Sequence, residues 1–119
     1  MQILIVEDEE QLRRAFRRGL TRAGHTVFEA GDTTKADQVL QQETNIQVIL
    51  LDTNLPGEDG PVWYFRNQSK LTDAGIRVIA MSGAWNDGND RAAERYDQTG
   101  IPRLSKPFGT TELLALLQS

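Results

Sequence analysis

An α/β fold, with a parallel sheet covered by helices on both faces, is what this 119-residue chain predicts. Three observations lead there. Short runs of Val, Ile and Leu alternate with helix-periodic segments, strand then helix, five times over. Residues 48–52 form a continuous apolar run into one carboxylate, the pattern of a strand buried on both faces of a parallel sheet. Gly, Pro, Asn and Asp gather between the runs, where the chain must turn.

The elements follow in order. Residues 2–6 read as a first buried strand, broken by Glu7, Asp8, Glu9 and Glu10. The period then changes: Leu12, Ala15, Phe16, Gly19, Leu20 and Ala23 fall on one helical stripe, and Arg13, Arg14, Arg17, Arg18 and Arg22 on the other side. Gly24 is placed to stop this helix. Residues 25–29 predict a second strand, and Gly31, Asp32 and Thr33 a loop with capping residues ahead of a helix through Ala36, Val39 and Leu40. The third strand ends at Asp52, and a turn rich in Gly and Pro leads to a helix starting near Pro61, a residue suited to a first helical turn. Val62, Phe65 and Leu71 are its expected buried side. Residues 76–81 predict a fourth strand ending at Ser82 and Gly83, and residues 85–90 a loop. A helix through Ala92, Ala93 and Tyr96 is then closed by Gly100. Residues 101–104 form a short fifth strand, and Gly109, Thr110, Thr111 and Glu112 precede a Leu-rich last helix, with Glu112 in a capping arrangement.

Composition narrows the functional classes. The length suits one domain over residues 1–119, with neither an internal repeat nor a linker. There is no cysteine, which excludes disulfides and thiolate metal sites. No apolar run approaches the roughly 20 residues of a membrane span, and no signal-peptide pattern opens the chain. A soluble, cytoplasmic protein without membrane association is expected. The net charge of −4 argues against a broad electrostatic grip on nucleic acid.

Parallel strands deliver the residues that close them to one edge, where ligands bind. Those residues are Glu7 and Asp8, Asp52, Ser82 and Lys106. Three clustered carboxylates repel one another unless some are protonated or a cation lies among them. Oxygen ligands favour a hard ion such as Mg²⁺. Three carboxylates carry −3, whereas a divalent cation with Lys106 carries +3, so the edge balances with metal bound and can tolerate a phosphoryl group. Ser82 offers a hydroxyl and Lys106 an ammonium, both suited to phosphoryl oxygens.

The segments Val6-Glu-Asp-Glu9, Leu50-Leu-Asp-Thr-Asn-Leu-Pro-Gly-Glu-Asp-Gly60, Met81-Ser-Gly83 and Ser105-Lys-Pro-Phe108 together resemble the receiver domain of bacterial two-component response regulators, over the whole chain. The resemblance implies a doubly wound (βα)5 flavodoxin-like sheet of strand order 2-1-3-4-5. It implies that Asp52 accepts a phosphoryl group from a phosphohistidine on a histidine kinase or histidine phosphotransfer protein. Asp8, Asp52 and the backbone carbonyl of Asn54 would bind Mg²⁺ (or Mn²⁺) directly, with Glu7 closer to the metal's water shell. Ser82 and Lys106 would hold phosphoryl oxygens, across a cis Lys106–Pro107 bond. Such a domain is no enzyme toward other substrates: it catalyses only its own phosphorylation and dephosphorylation, and so switches contacts with a downstream output domain or protein. It binds no nucleic acid itself and is a monomer or a weak, phosphorylation-dependent dimer.

Two departures stand out. The acidic pair is Glu7 and Asp8 where two aspartates are commoner, and Arg103 stands three residues before the lysine where the family usually carries Tyr or Phe. Readout is then expected to differ, with Ala84 and Trp85 as candidates. Arg13 and Arg17 are expected to help dock the phosphodonor; His25 is a loop residue and gives the chain no histidine kinase activity of its own. Trp63, Tyr64 and Tyr96 should pack against the core.

Rival readings come from other classes. A haloacid dehalogenase-like phosphohydrolase would carry its nucleophile on the first strand. A flavodoxin-like carrier would meet repulsion from Glu7 and Asp8 at its phosphate cradle. A receiver-like module that only binds protein, without phosphorylation, is opposed by the presence of Asp52, Ser82 and Lys106, and Arg103 alone keeps it open. Residues within the domain do not separate a stand-alone regulator from part of a longer one or from the receiver portion of a hybrid histidine kinase.

Overall fold

Ile3 and Ile5 face one way from the first strand and Leu4 and Val6 the other, and all four are buried. That alternation, repeated at Val48 and Leu50 against Ile49 and Leu51, is the basis of a three-layered fold. The computed structural model describes residues 1–83, 94–97 and 99–118. They form β1 (Gln2–Val6), α1 (Glu10–Arg22), β2 (Thr26–Ala30), α2 (Thr33–Gln42), β3 (Val48–Asp52), α3 (Gly60–Asp73), β4 (Arg77–Ser82), β5 (Arg103–Ser105) and α4 (Thr110–Gln118).

The five strands are parallel, in the order β2-β1-β3-β4-β5. On one face Phe16 and Leu20 of α1 and Leu113 and Leu117 of α4 pack against Ile5, Leu50 and Met81. On the other, Ala36 and Val39 of α2 and Trp63, Tyr64 and Leu71 of α3 pack against Leu4, Ile49 and Ala80. Each fully buried aliphatic side chain contributes about 1.5–3 kcal/mol relative to exposure. β3 is the middle strand of the sheet and contributes to both cores, and it carries Asp52 at its end.

Two strands begin one residue later than expected, for one shared reason. After α1, Gly24 adopts a φ of 93°, its N–H binds the Thr21 carbonyl, and the His25 N–H binds the Leu20 carbonyl. After α3, Gly75 (φ 70°) and Ile76 repeat the arrangement on Thr72 and Leu71. This is the Schellman helix ending. His25 and Ile76 finish helices, so their strands start at Thr26 and Arg77. The N-terminal ammonium also hydrogen-bonds the His25 ring at 2.9 Å. β5 is shorter than expected because Pro102 has no N–H for the ladder, although its carbonyl still accepts from Ala80.

The predicted inner side of α3 needs correction. Leu71 is buried, but Val62 and Phe65 are 39% and 42% exposed, while Trp63 and Tyr64 point inward. Gly60 sets the rotation: a Cβ there would stand 2.2 Å from the Asp52 carbonyl oxygen, so only a glycine lets the first turn lie on β3. Trp63, Tyr64, Asn67 and Leu71 then follow Gly60 on one helical stripe. Asp59 caps the helix, accepting from the Val62 N–H at 2.8 Å, and the Trp63 indole donates to Asp37 of α2 at 2.9 Å. At α2 the capping expectation holds, since Asp32 accepts from the Lys35 N–H. Glu112 lies inside the first turn of α4. Among the described residues no helix is long and apolar enough to cross a membrane. Ala84, the 85–90 loop with Trp85, and Ala92 and Ala93 of the expected helix lie outside them; Tyr96 lies within and is buried.

Candidate functional site

Strands β1, β3 and β4 end level with one another, Val6 opposite Leu51 and Asp52 opposite Met81. The register thus brings Glu7, Asp8, Asp52 and Ser82 to one edge. Carboxylate oxygens of Glu7, Asp8 and Asp52 lie within 4.8 Å of one another. Glu7 and Asp52 are buried and Asp8 is exposed, which leaves one open side. Such a set of hard oxygen donors could hold a divalent cation.

Lys106 reaches this cluster from beyond β5. Its ammonium lies 2.5 Å from Glu7 Oε1 and 2.9 Å from Asp52 Oδ1. Its own N–H donates to the Ser82 carbonyl at 2.9 Å, and Ser82 pairs with Ser105 in the sheet. The Lys106–Pro107 peptide is cis. Ser82 is itself buried at the end of β4. Asn54 lies two residues past Asp52, exposed in the turn.

Burial governs the electrostatics. It pushes Glu7 up to about 7, with the Lys106 hydrogen bond opposing and the Asp52 charge adding to the rise. Asp52 is likewise raised, by burial first, and its contacts with Lys106 do not reverse that. For Lys106 burial acts downward, but hydrogen bonds to Glu7 and Asp52 outweigh it and hold the ammonium charged. Three acids and one cation leave the cluster short of positive charge.

Supporting residues are visible only in three dimensions. Thr53 is fully buried and its hydroxyl and N–H both donate to the Met81 carbonyl, at 2.8 and 3.0 Å, which pins the peptide after Asp52 to β4. Gly60 returns to the same place, its N–H binding the Thr53 carbonyl at 3.0 Å. Glu58 on that turn is locked to Arg66 by two hydrogen bonds. The glycine after Asp59 was the available signal for the close approach; nothing in the local sequence marks the Thr53 anchor.

The arginine-rich helix does not present five equivalent charges. Arg13 and Arg17 both bind Glu29 of β2, at 3.0 and 2.7 Å, and Arg13 is 17% exposed against 56% for Arg17. Burial favours protonation of Glu29, but the two guanidiniums outweigh it and lower its pKa. Arg103 stays on the exposed side of β5 and pairs with Asp97. Tyr96, one residue before Asp97, is fully buried and edge-on to Tyr64 at 5.9 Å.

Known proteins resemble the chain over nearly its whole length. The family described as "Response regulator receiver domain" matches residues 3–118. The chain is 29% identical over 119 residues to the transcriptional regulatory protein PhoP of Escherichia coli (strain K12), covering all of this chain and 51% of that protein. It thus spans about half the length of the curated relatives it matches. Among solved structures, the signal receiver domain of an HD domain-containing protein from Pseudomonas fluorescens Pf-5 superposes with a TM-score of 0.84 at 26% identity, covering 98% of this chain and 90% of that one. The receiver domain of the hybrid histidine kinase CckA gives 0.77 at 27% identity, covering 99% and 96%.

Proposed function

Because the chain belongs to the response regulator receiver domain family, we propose that it is the phosphoacceptor module of a two-component phosphorelay, with Asp52 as the acceptor. The observation that carries this reading is the position of Asp52: buried at the end of the central strand, beside Glu7 and Asp8, and 2.9 Å from the Lys106 ammonium.

In this reading an Asp52 carboxylate oxygen attacks the phosphorus of a partner's phosphohistidine. The P–N bond breaks, the imidazole leaves, and an aspartyl phosphate remains. Water later cleaves it to inorganic phosphate at the same site. Lys106 and the Ser82 hydroxyl hold phosphoryl oxygens as charge shifts onto them. Asp8, Asp52 and the Asn54 carbonyl would hold Mg²⁺ (or Mn²⁺), with Glu7 nearer its water shell. The bound cation would neutralise the acids and the incoming phosphoryl charge. The chain acts on no other substrate, and its product is a changed surface.

The donor is a histidine kinase or a histidine phosphotransfer protein, in the cytoplasm. With Arg13 and Arg17 committed to Glu29, the exposed Arg18 and Arg22 are the better candidates on α1 for docking it. The output is a protein contact of unspecified class, since one relative is named a transcriptional regulator and another comes from a hybrid kinase.

The test is incubation with Mg²⁺ and acetyl phosphate, followed by intact mass. One added phosphoryl group that is absent in Asp52→Asn supports the proposal. No adduct, or an adduct that survives the substitution, overturns it.

A further inference from the structure

Arg13 makes a contact that no other α1 arginine is seen to make. β1 ends at Val6, and the Glu7 N–H still joins the sheet through the Ala30 carbonyl at 3.0 Å. The Glu7 carbonyl lies past the last strand residue, on a residue almost fully buried, where a polar group left without a partner is costly. Arg13 Nη1 donates to it at 2.9 Å. The same guanidinium is held from behind, its Nε donating to Glu29 Oε1 at 3.0 Å. Glu29 stands opposite Ile5 in the β1–β2 register, two residues from Glu7 along the strand direction. The fork of Arg13 therefore clamps the peptide between Glu7 and Asp8 to β2.

From the other side, the Glu7 carboxylate accepts from the Glu9 N–H at 3.2 Å and from Lys106. With its carbonyl and its carboxylate both held, Glu7 has little freedom, and the direction in which Asp8 leaves the strand follows from it.

We propose that Arg13 is a positioning residue for a divalent cation at the acidic edge: by holding the Glu7 carbonyl it fixes the aim of Glu7 and Asp8. The inference rests on the metal-binding part of the function proposed above, and it withdraws Arg13 from partner docking.

The sign of the effect separates positioning from charge. A guanidinium near a cation site repels the cation, so on charge alone its removal tightens Mg²⁺ binding. If Arg13 positions the ligands, its removal weakens binding instead, by about tenfold on the scale typical of groups that orient metal ligands. Arg17 provides the control, because it binds the same Glu29 but is not the donor to the Glu7 carbonyl.

The experiment is a calorimetric Mg²⁺ titration of wild type, Arg13→Met, Arg13→Lys and Arg17→Met at one pH and ionic strength, with folding checked by circular dichroism. Arg13→Met is expected to bind about tenfold more weakly, Arg17→Met within about twofold of wild type because only the Arg13 contact orients the ligands. Arg13→Lys keeps the charge but not the fork, so it too is expected to bind more weakly than wild type. If Arg13→Met fails to fold, Arg13→Lys decides alone. Binding by the Arg13 variants as tight as wild type or tighter overturns the inference, as does an equal loss in Arg17→Met. A wild-type protein that takes up no Mg²⁺ overturns the metal reading itself, and the inference with it.

Discussion

The Lys106 ammonium lies between Asp52 and Glu7, 2.9 Å from one carboxylate and 2.5 Å from the other. It occupies the position of an internal counter-ion, so it competes with an external cation for charge at this acidic edge, Asp52 above all. Replacing it by methionine should therefore have opposite effects on two measurements. Mg²⁺ binding by Lys106→Met should tighten several-fold, on the order expected for removing one nearby charge. If Lys106 also holds a phosphoryl oxygen as proposed, phosphorylation by acetyl phosphate should slow by about 100-fold. Calorimetry and intact-mass time courses check the pair; a variant that loses both Mg²⁺ affinity and phosphorylation would show that Lys106 organises the acids rather than competing for them.

Glu7 gives a pH dependence. Its carboxyl is raised by burial from an ordinary 4.5 to about 7 in the folded protein. Between those values the folded state keeps a proton that the unfolded state has released. Its contribution to stability is therefore present below about 4.5 and is lost as pH rises through about 7. Asp52 is raised as well and acts in the same direction. In chelator, the melting temperature should fall from pH 5 toward pH 8, and Glu7→Gln should flatten that limb. Metal competes with the proton, so apparent Mg²⁺ affinity should climb over the same interval. A melting temperature that rises across it in the wild type would contradict the assignment.

Gly60 brings the first turn of α3 close against the main chain of β3 at Asp52. A methyl group there would meet the Asp52 carbonyl oxygen at 2.2 Å and the Tyr96 hydroxyl at 2.8 Å. Main chain cannot yield as a flexible side chain can, so Gly60→Ala should cost about 2 to 3 kcal/mol by overpacking. Gly109→Ala is the comparison, since a Cβ at Gly109 meets nothing within 4 Å. Urea denaturation of both variants measures the difference. Near-equal stabilities would mean that the Asp52–Gly60 approach relaxes easily.

The same glycine explains what could be read from the chain and what could not. The acidic edge was legible because parallel strands buried on both faces appear as unbroken apolar runs, and their order alone delivers Glu7, Asp8, Asp52, Ser82 and Lys106 to one side. The strand starts at Thr26 and Arg77 slipped by one residue because His25 and Ile76 complete helix endings with backbone bonds that leave no mark in composition. The phase of α3 was misjudged because hydrophobicity favours Val62 and Phe65, whereas a backbone contact at Gly60 sets the rotation. Arg13 looked like one charge among five, since its partner Glu29 is 16 residues away and is a neighbour only through the sheet.

Arg103 and Tyr96 give a last test, of which side chain holds this side of the sheet. Arg103 is paired with Asp97, with 41% and 54% of the two side chains exposed. An ion pair so exposed is worth less than about 1 kcal/mol. Tyr96 is buried against Tyr64, with its hydroxyl end at Gly60. Removing a buried aromatic ring costs about 3–5 kcal/mol. Arg103→Ala should therefore change unfolding free energy by less than about 1 kcal/mol, whereas Tyr96→Ala should lose most of the larger figure. The packing of Gly60 against β3 should suffer with it, so Tyr96→Ala should also slow phosphorylation of Asp52, and Arg103→Ala should not. Denaturation curves and phosphorylation time courses on the same two variants decide it. A large stability loss in Arg103→Ala would mean that the arginine stem, and not the Tyr96 ring, holds this side of the sheet.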